Sequence, residues 1–498
     1  LHYPLRRQRQ MCIRDRTFTG EEHIQKQILD NRNTEICMYI DDTIAAIATP
    51  PGIGGVGIIR VSGKDSFPIV NSLFKSTGTV PLMDRQNRTI QYGTIVDPAT
   101  SKTIDEVLVL LMKGPHSYTA EDVVEIQCHG GIVPVRQILK LLVNHDVRMA
   151  EAGEFTKRAF MNGRIDLTQA EAIIDIIEAK TEDSLSLAVS QLDGTVSSFV
   201  KDVREQLIAM IAHLEVTIDY PEEDIEDVTS QEVREQLEPI LKAMDDLLST
   251  ANTGRLIRDG ITTVIVGRPN AGKSSLMNAL LRENRAIVTD IPGTTRDSIE
   301  EYMTVEGISL RLIDTAGIRD TQDTVEALGV ERARDYINKA DIVLCVIDGS
   351  TPLNPEEIEI LTSVSGLNTI VLLNKSDVAQ VVTDENIKEH GNFTAIERIS
   401  AKEGEGSAVL SKWVQELVYG GRVKQDNSAM ISNVRHISLM EQAKAQVEQA
   451  LSSIDMGMPV DFVATDLRSA WELLGDITGD TIRESMIDEL FSRFCLGK

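Results

Sequence analysis

Gly267-Arg-Pro-Asn-Ala-Gly-Lys-Ser274 spaces its glycines, lysine and hydroxyl as G-x-x-x-x-G-K-[ST], the pattern of a phosphate-binding loop. The chemistry is anion binding. Glycines let the backbone N–H groups of Asn270, Ala271, Gly272, Lys273, Ser274 and Ser275 close around a phosphate, and the following helix N-terminus adds positive potential. Lys273 neutralises the β- and γ-oxygens, and the Ser274 hydroxyl is a magnesium ligand. Residues 262–266 are apolar and β-branched, and 275–281 carry a helical pattern, so the strand–loop–helix context of the motif is present.

Asp314-Thr315-Ala316-Gly317 lies forty residues past Ser274, after the apolar run 310–313. An aspartate at a strand end holds Mg2+ through water, and the glycine backbone reaches the γ-phosphate. Asn374-Lys375-Ser376-Asp377 closes another apolar run, 369–373. The Asp377 carboxylate can accept from guanine N1–H and N2–H2, a donor pair that adenine lacks. Ser400-Ala401-Lys402 follows where a last base-contacting loop belongs. Between the first two motifs, Thr289-Asp290-Ile291-Pro292-Gly293-Thr294-Thr295 supplies threonines, and Thr295 is expected to join Ser274 on magnesium. In this order the set reads as a GTP-binding G domain. Ile318 stands where Ras-like GTPases place a water-positioning glutamine, and an aliphatic side chain cannot orient water.

These motifs need a scaffold. At 498 residues the chain is too long for one core, and roughly two to four domains are expected. The formal charge of −27 excludes gripping nucleic acid through the general field; RNA contact needs a local basic patch or a partner's surface. Cys12, Cys37, Cys128, Cys345 and Cys495 form no C-x-x-C, and an odd, irregular set indicates neither a disulfide framework nor a zinc site. A reducing cytosol is the simplest compartment, so a cytoplasmic location is expected. No apolar run approaches the length of a membrane span, and no membrane partner is expected. Residues 1–37 lack apolar periodicity and crowd Arg6, Arg7, Arg9, Arg14 and Arg16 at their start. They read as a disordered or artefactual extension before Met38, and their acidic residues argue against a transit peptide.

The fold class expected is multidomain: an N-terminal α+β domain, then a helical domain interrupted by an inserted Ras-like P-loop G domain. Strand patterns at 43–48, 58–61, 89–95, 106–112 and 123–128, with a helix over 133–144, place the first domain at 38–160. Gly52, Gly54 and Gly57 spell G-x-G-x-x-G, but they lead into β-branched residues rather than a helix, which rejects a dinucleotide site. Cys128–His129 is assigned to structure, since neighbours on a strand face opposite ways. Leu185, Leu192, Phe199, Val203, Leu207, Met210, Leu214 and Ile218 recur at helical steps and predict one long amphipathic helix within 161–255. A second helical run spans 231–256. The G domain occupies 256–423, and helices over 438–454, 462–477 and 481–494 fill 424–498 up to a Cys-Leu-Gly-Lys tail. Helices on both sides of the insertion should pack together, since neither group can bury its apolar stripe alone.

With these motifs in place, the sequence resembles the MnmE/TrmE family of tRNA-modification GTPases. The marks, between Met38 and Lys498, are Ala48-Thr-Pro-Pro-Gly-Ile-Gly-Gly-Val-Gly57, Glu125-Ile-Gln-Cys-His-Gly-Gly131, Gly153-Glu-Phe-Thr-Lys-Arg-Ala-Phe160, Asp166-Leu-Thr-Gln-Ala-Glu-Ala172, the phosphate loop, and Phe494-Cys-Leu-Gly-Lys498. Leu496 departs from the isoleucine usual in that tail.

The resemblance implies an activity: GTP hydrolysis within a complex that adds an aminomethyl or carboxymethylaminomethyl group to C5 of the tRNA wobble uridine. It implies a homodimer through the N-terminal domain, and a heterotetramer with an FAD-dependent MnmG/GidA-type partner, the FAD staying on the partner. The one-carbon donor it implies is 5-formyl- or methylene-tetrahydrofolate, held by Arg60, Glu125, Arg164 and Lys498. Arg164 stands where lysine is common. The resemblance further implies that potassium replaces an arginine finger, with the Asn270 side chain, the Thr289 and Ile291 carbonyls and Thr294 around it. Glu326 is implied to orient the attacking water, against the alternative of a solvated helix start. Cys495 is either a nucleophile or a small packing residue. The competing readings are a GTP-switched RNA-binding or ribosome-assembly factor of the Era type, and a folate-dependent transferase with a regulatory G domain. An Era-type chain would carry a basic appendage with a G-x-x-G loop, which the helical region after Val423 lacks.

Overall fold

The computed structural model describes residues 42–78, 80–219, 230–284, 300–314, 335–420, 429–481, 484–494 and 497. The chain divides into two compact units, one running through Arg164 and resuming at Ile487, the other spanning Ile165–Met486.

The first unit is built on a mixed sheet. Its strands are β1 (Ile44–Ile47), β2 (Val56–Ser62), β3 (Phe74–Ser76), β4 (Thr89–Asp97), β5 (Lys102–Met112), β6 (Val123–His129) and β7 (Arg148–Met149), ordered β3-β4-β5-β6-β2-β1-β7. Helices α1 (Ser66–Leu73), α2 (Ile132–Val143) and α3 (Glu154–Met161) complete it. Period-two alternation drives the sheet: Val107, Val109 and Leu111 of β5 point into the core with Ile59, Val61, Val124 and Ile126. Ile138 and Leu142 of α2 cover that face.

The second unit holds two cores. Helices α4 (Leu167–Glu178), α5 (Glu182–Leu192), α6 (Thr195–Asp219), α7 (Ser230–Leu248) and α8 (Ala251–Asp259) come first. The single long helix expected through 185–218 is two, α5 and α6. The chain turns at Asp193 and at Gly194, whose φ of +88° no helix accommodates. The run expected over 231–256 also breaks, at Ser249–Thr250, into α7 and α8.

A six-stranded sheet follows: β8 (Ile261–Val266), β9 (Glu300–Val305), β10 (Ile308–Asp314), β11 (Ile342–Asp348), β12 (Thr369–Asn374) and β13 (Ala395–Arg398), ordered β13-β12-β11-β8-β10-β9. All but β9 run parallel. Around it stand α9 (Lys273–Asn284), α10 (Pro355–Val364), α11 (Asp384–Lys388) and α12 (Gly406–Tyr419). β11 and β12 are buried along their whole length, as parallel strands covered on both faces must be.

The chain then returns to helices: α13 (Val434–Asp455), α14 (Val460–Thr478) and α15 (Glu484–Phe491). Leu207 and Met210 of α6, Leu237 and Met244 of α7, Met440 and Val447 of α13, and Leu467 and Leu474 of α14 share one core. The helical domain is thus interrupted by a G domain. A buried ionic cluster ties the two helical segments together. Glu171 of α4 accepts from Arg435 Nη2 at 2.8 Å and faces His436 Nε2 at 2.6 Å. Burial alone would raise the Glu171 carboxyl; His436 and Arg435 outweigh it and hold the pKa at about 2.

Candidate functional site

The nucleotide motifs converge at the C-terminal ends of the parallel strands, where open α/β sheets bind ligands. β8 ends at Val266, and the loop 267–272 turns into α9. Asn270 sits at φ +64° and Gly272 at φ +105°. A Cβ on Gly272 would stand 2.0 Å from Asn374 Nδ2, so only glycine allows the approach. Asn374 Nδ2 donates to the Ala271 carbonyl at 2.8 Å, while its Oδ1 accepts from the Ala401 N–H at 2.9 Å. Buried Lys273 donates from Nζ to the carbonyls of Gly267 at 2.8 Å and Arg268 at 2.9 Å. Asn270, Ser274 and Ser275 are exposed around the same turn. Asp314 closes β10 in register with Ile265 of β8.

The two loops expected from sequence to contact the base join the same assembly. Ser400 Oγ donates to Asp377 Oδ1 at 3.0 Å. Ser376 Oγ and the Ser400 N–H both donate to Glu405 Oε2, at 3.2 and 2.8 Å. Asp377 is exposed, and Lys402 is exposed in the neighbouring loop. Lys375 holds φ +66° and sends its ammonium to Asp348 Oδ2 at 2.6 Å. Burial pushes the Asp348 carboxyl up, but Lys375 and Ser350 bring it below the ordinary carboxylate range.

A second polar cluster lies in the first unit. Arg60 of β2 and Glu125 of β6 are register partners, and Arg60 Nε donates to Glu125 Oε1 at 2.8 Å. The Arg60 guanidinium lies 4.7 Å from the Tyr118 ring centroid and that of Arg164 lies 5.0 Å from it. Arg164 Nε donates to the Tyr118 carbonyl at 2.9 Å, and the Tyr118 hydroxyl pairs with Thr156 at 2.9 Å. Arg60 Nη1 also donates to the Gly497 carbonyl at 3.2 Å, which brings the chain end to this cluster. α3 is anchored by Arg158, whose guanidinium meets Asp42 at 2.6 Å and Glu154 at 3.0 Å. Cys128 faces the core with its thiol pushed up to about 11 by burial, while His129 points to solvent beside Asp105.

Of the residues singled out by sequence, Asn270, Ala271, Gly272, Lys273, Ser274, Ser275, Asp314, Asn374, Lys375, Ser376, Asp377, Ser400, Ala401 and Lys402 line the strand-end region, and Arg60, Glu125 and Arg164 gather in the first unit. Thr289, Asp290, Ile291, Pro292, Gly293, Thr294, Thr295, Thr315, Ala316, Gly317, Glu326, Cys495 and Lys498 lie outside the described residues. Sequence reasoning missed Asp348, Glu405 and Tyr118. The signal for Asp348 was an acid ending the apolar run 342–347, as Asp314 ends 310–313. Nothing in the spacing marked Glu405. Tyr118 sits seven residues before Glu125, in a stretch with no pattern of its own.

Family models described as the GTP-binding protein TrmE N-terminus and the MnmE helical domain match residues 43–164 and 167–495. A tRNA modification GTPase MnmE from Clostridioides difficile (strain 630) is 49% identical over 461 residues, 93% of this chain and 100% of that protein. This chain belongs to the MnmE/TrmE family. Proteins of the same name from Geobacillus thermodenitrificans (strain NG80-2) and Bacillus subtilis (strain 168) are 50% and 46% identical, each over 458 residues. They cover 92% of this MnmE-family chain and 99% and 100% of their own lengths. Among solved structures, the G domain of the T. maritima FeoB iron transporter is 27% identical over 32% of this chain and 98% of its own, with a TM-score of 0.25. No helix among the described residues is long and apolar enough to cross a membrane.

Proposed function

We propose that the chain hydrolyses GTP as the GTPase component of the complex that adds a (carboxymethyl)aminomethyl group to C5 of the tRNA wobble uridine. The observation that carries the GTPase half is the Asn374 bridge, which joins the phosphate loop, the β12 strand end and the Ser400–Ala401 loop into one assembly within the second unit. The tRNA half rests on family membership, since the relatives are named for tRNA modification. The Era-like alternative is not favoured.

Within that reading the chain's own groups have distinct tasks. Loop N–H groups and Lys273 bind phosphate and offset charge that grows during phosphoryl transfer. Asp377 reads guanine. The oxygen donors fit a hard divalent ion: Ser274 offers an exposed hydroxyl at the α9 N-terminus, with Thr295 as its partner ligand. Magnesium there would screen the β- and γ-phosphates. Exposed Asn270 would present its amide oxygen to potassium, with Thr289, Ile291 and Thr294. Glu326 would orient the water.

The first unit would hold the tetrahydrofolate derivative, which supplies the one-carbon unit when bound. Arg60, Arg164 and Lys498 suit its carboxylate tail, and Glu125 suits the pterin edge. Among the described residues only Oε1 of Glu125 is engaged, which leaves Oε2 for that role. Ile53, Val56, Ile132 and Val133 are exposed apolar residues of the same unit and would contribute area to a homodimer contact. An FAD-dependent MnmG/GidA-type partner and tRNA complete the assembly, in the cytoplasm. The decisive experiment is nucleoside analysis of tRNA from cells lacking the protein, with and without the restored gene. Unchanged wobble uridines in the deletion strain would reject the tRNA assignment.

A further inference from the structure

We propose that Asp348 is a positioning residue for guanine-nucleotide binding, acting through Lys375 of the base-reading loop and touching Arg268 of the phosphate loop. The inference rests on the GTP reading above. Asp348 ends β11 and lies opposite Asn374 in the parallel β11–β12 register. Its carboxylate is nearly buried, with 6% of the side chain exposed. The two oxygens do different work. Oδ1 accepts from the Ser350 N–H at 3.0 Å and the Ser350 hydroxyl at 2.6 Å, which fixes the carboxylate plane. Oδ2 faces Lys375 Nζ at 2.6 Å and Arg268 Nη2 at 3.5 Å. One oxygen therefore serves a cation from each of the two loops that would grip a nucleotide.

Lys375 needs such an anchor. Its backbone is in the left-handed region, which a lysine does not favour. The Gln380 amide and the Val378 N–H hold its carbonyl, at 2.7 and 3.1 Å. Asp348 holds its side chain. A lysine stem is flexible, and this one is 41% exposed, so without the carboxylate the ammonium would turn to water. Pinned, the stem keeps one direction, two residues from Asp377. Arg268 is secured on its other side by Thr351 Oγ1 at 3.0 Å and by the buried Glu357 carboxylate at 2.7 Å. Asp348 thus sits between a fixed wall and the lysine it aims.

The test is dissociation of a fluorescent GDP analogue from the full-length protein, followed by stopped flow. Asp348→Asn keeps shape but removes charge, and should speed dissociation about tenfold, the scale of one charge-assisted hydrogen bond. A double-mutant cycle then separates aiming from general support. In a Lys375→Met background, Asp348→Asn should add less than about twofold, because its partner is already gone. Effects that multiply would overturn the proposal. If Asp348→Asn does not fold, Ser350→Ala loosens the same carboxylate while keeping its charge; its effect should likewise vanish in the Lys375→Met background, and persistence there overturns the proposal. An unaltered protein that does not retain the analogue refutes the GTP reading itself, and the inference with it.

Discussion

The side-chain amide of Asn374, at the end of β12, donates at 2.8 Å to the Ala271 carbonyl of the loop that follows β8, two strands over in the sheet. Strand end and phosphate loop are therefore tied directly to each other. Asn374→Ala would leave that carbonyl and the buried Ala401 N–H without their partner. Each orphan costs about 1–3 kcal/mol. Affinity for GDP should fall at least tenfold, by titration calorimetry. An unchanged affinity would show that the loops hold their shape without the bridge.

Asp377 should decide which base is bound. Ser400 holds its Oδ1, so the carboxylate has a fixed aim. Asp377→Asn replaces an acceptor by a donor and should shift preference from guanine toward xanthine, whose edge accepts there. The unaltered protein should favour GTP over ATP by several kcal/mol, because mismatched polar groups stay unpaired on both sides. Competition binding with GTP, XTP and ATP reads both effects.

Much of this site was legible because phosphate binding constrains the chain locally. A glycine at 272 and a lysine at 273 must follow a strand, and spacing alone reveals them. The loops at 374–377 and 400–402 were placed at the same strand ends for the same reason. Asp348, Glu405 and Tyr118 were not, because each acts through a residue distant in sequence: Lys375, Ser376 and Arg164. Tertiary folding alone brings such pairs together. The helix break at Gly194 shows the opposite failure. Apolar periodicity runs on from α5 into α6 because both bury one stripe, so the pattern hid a turn that one glycine marked. The shared core of helices from either side of the G domain was readable, since an amphipathic stripe demands a partner.

Potassium should stimulate hydrolysis more than sodium does. The reasons are the exposed Asn270 in the phosphate loop and the aliphatic Ile318 in place of a water-positioning glutamine. A monovalent cation must then supply charge stabilisation. Steady-state rates in matched KCl and NaCl check this, with Asn270→Ala as the control that should lose the difference. Equal rates in the two salts would refute it.

The Glu171–Arg435–His436 cluster should make stability depend on pH in the acid range. Glu171 has an ordinary value of 4.5 and is held at about 2 in the fold. A carboxyl depressed on folding stabilises above its unfolded pKa, and that contribution is lost as pH falls from about 4.5 toward about 2. A gap of this size is on the order of 3 kcal/mol. Glu171→Gln should therefore lower the apparent melting midpoint clearly at pH 7, and the difference should shrink below pH 4.5. A difference that stays constant down to pH 3.5 (roughly a unit below the ordinary carboxyl value) would mean that packing, and not the carboxylate charge, is what the substitution removes.

The chain end should matter for the Arg60–Glu125–Tyr118 cluster, proposed above to hold folate, and not for GTP hydrolysis. Gly497 sits at φ +91°, and a Cβ there would stand 2.4 Å from the Ile47 carbonyl at the end of β1. Its own carbonyl accepts from Arg60, which also holds Glu125 and lies over Tyr118. Gly497→Ala must therefore push the tail off the strand end and remove one partner from Arg60. No described residue of the G-domain site belongs to the unit that contains Gly497. Guanine-nucleotide turnover should stay within about twofold, since effects between uncoupled sites are small. Binding of 5-formyl-tetrahydrofolate should weaken, and the modified wobble uridine should disappear from tRNA. Deleting residues 495–498 should reproduce the same pattern. Loss of GTP turnover in either variant would assign the tail a role in holding the whole fold together. Full modification with Gly497→Ala would show that Arg60 does not need the tail's carbonyl to do its work.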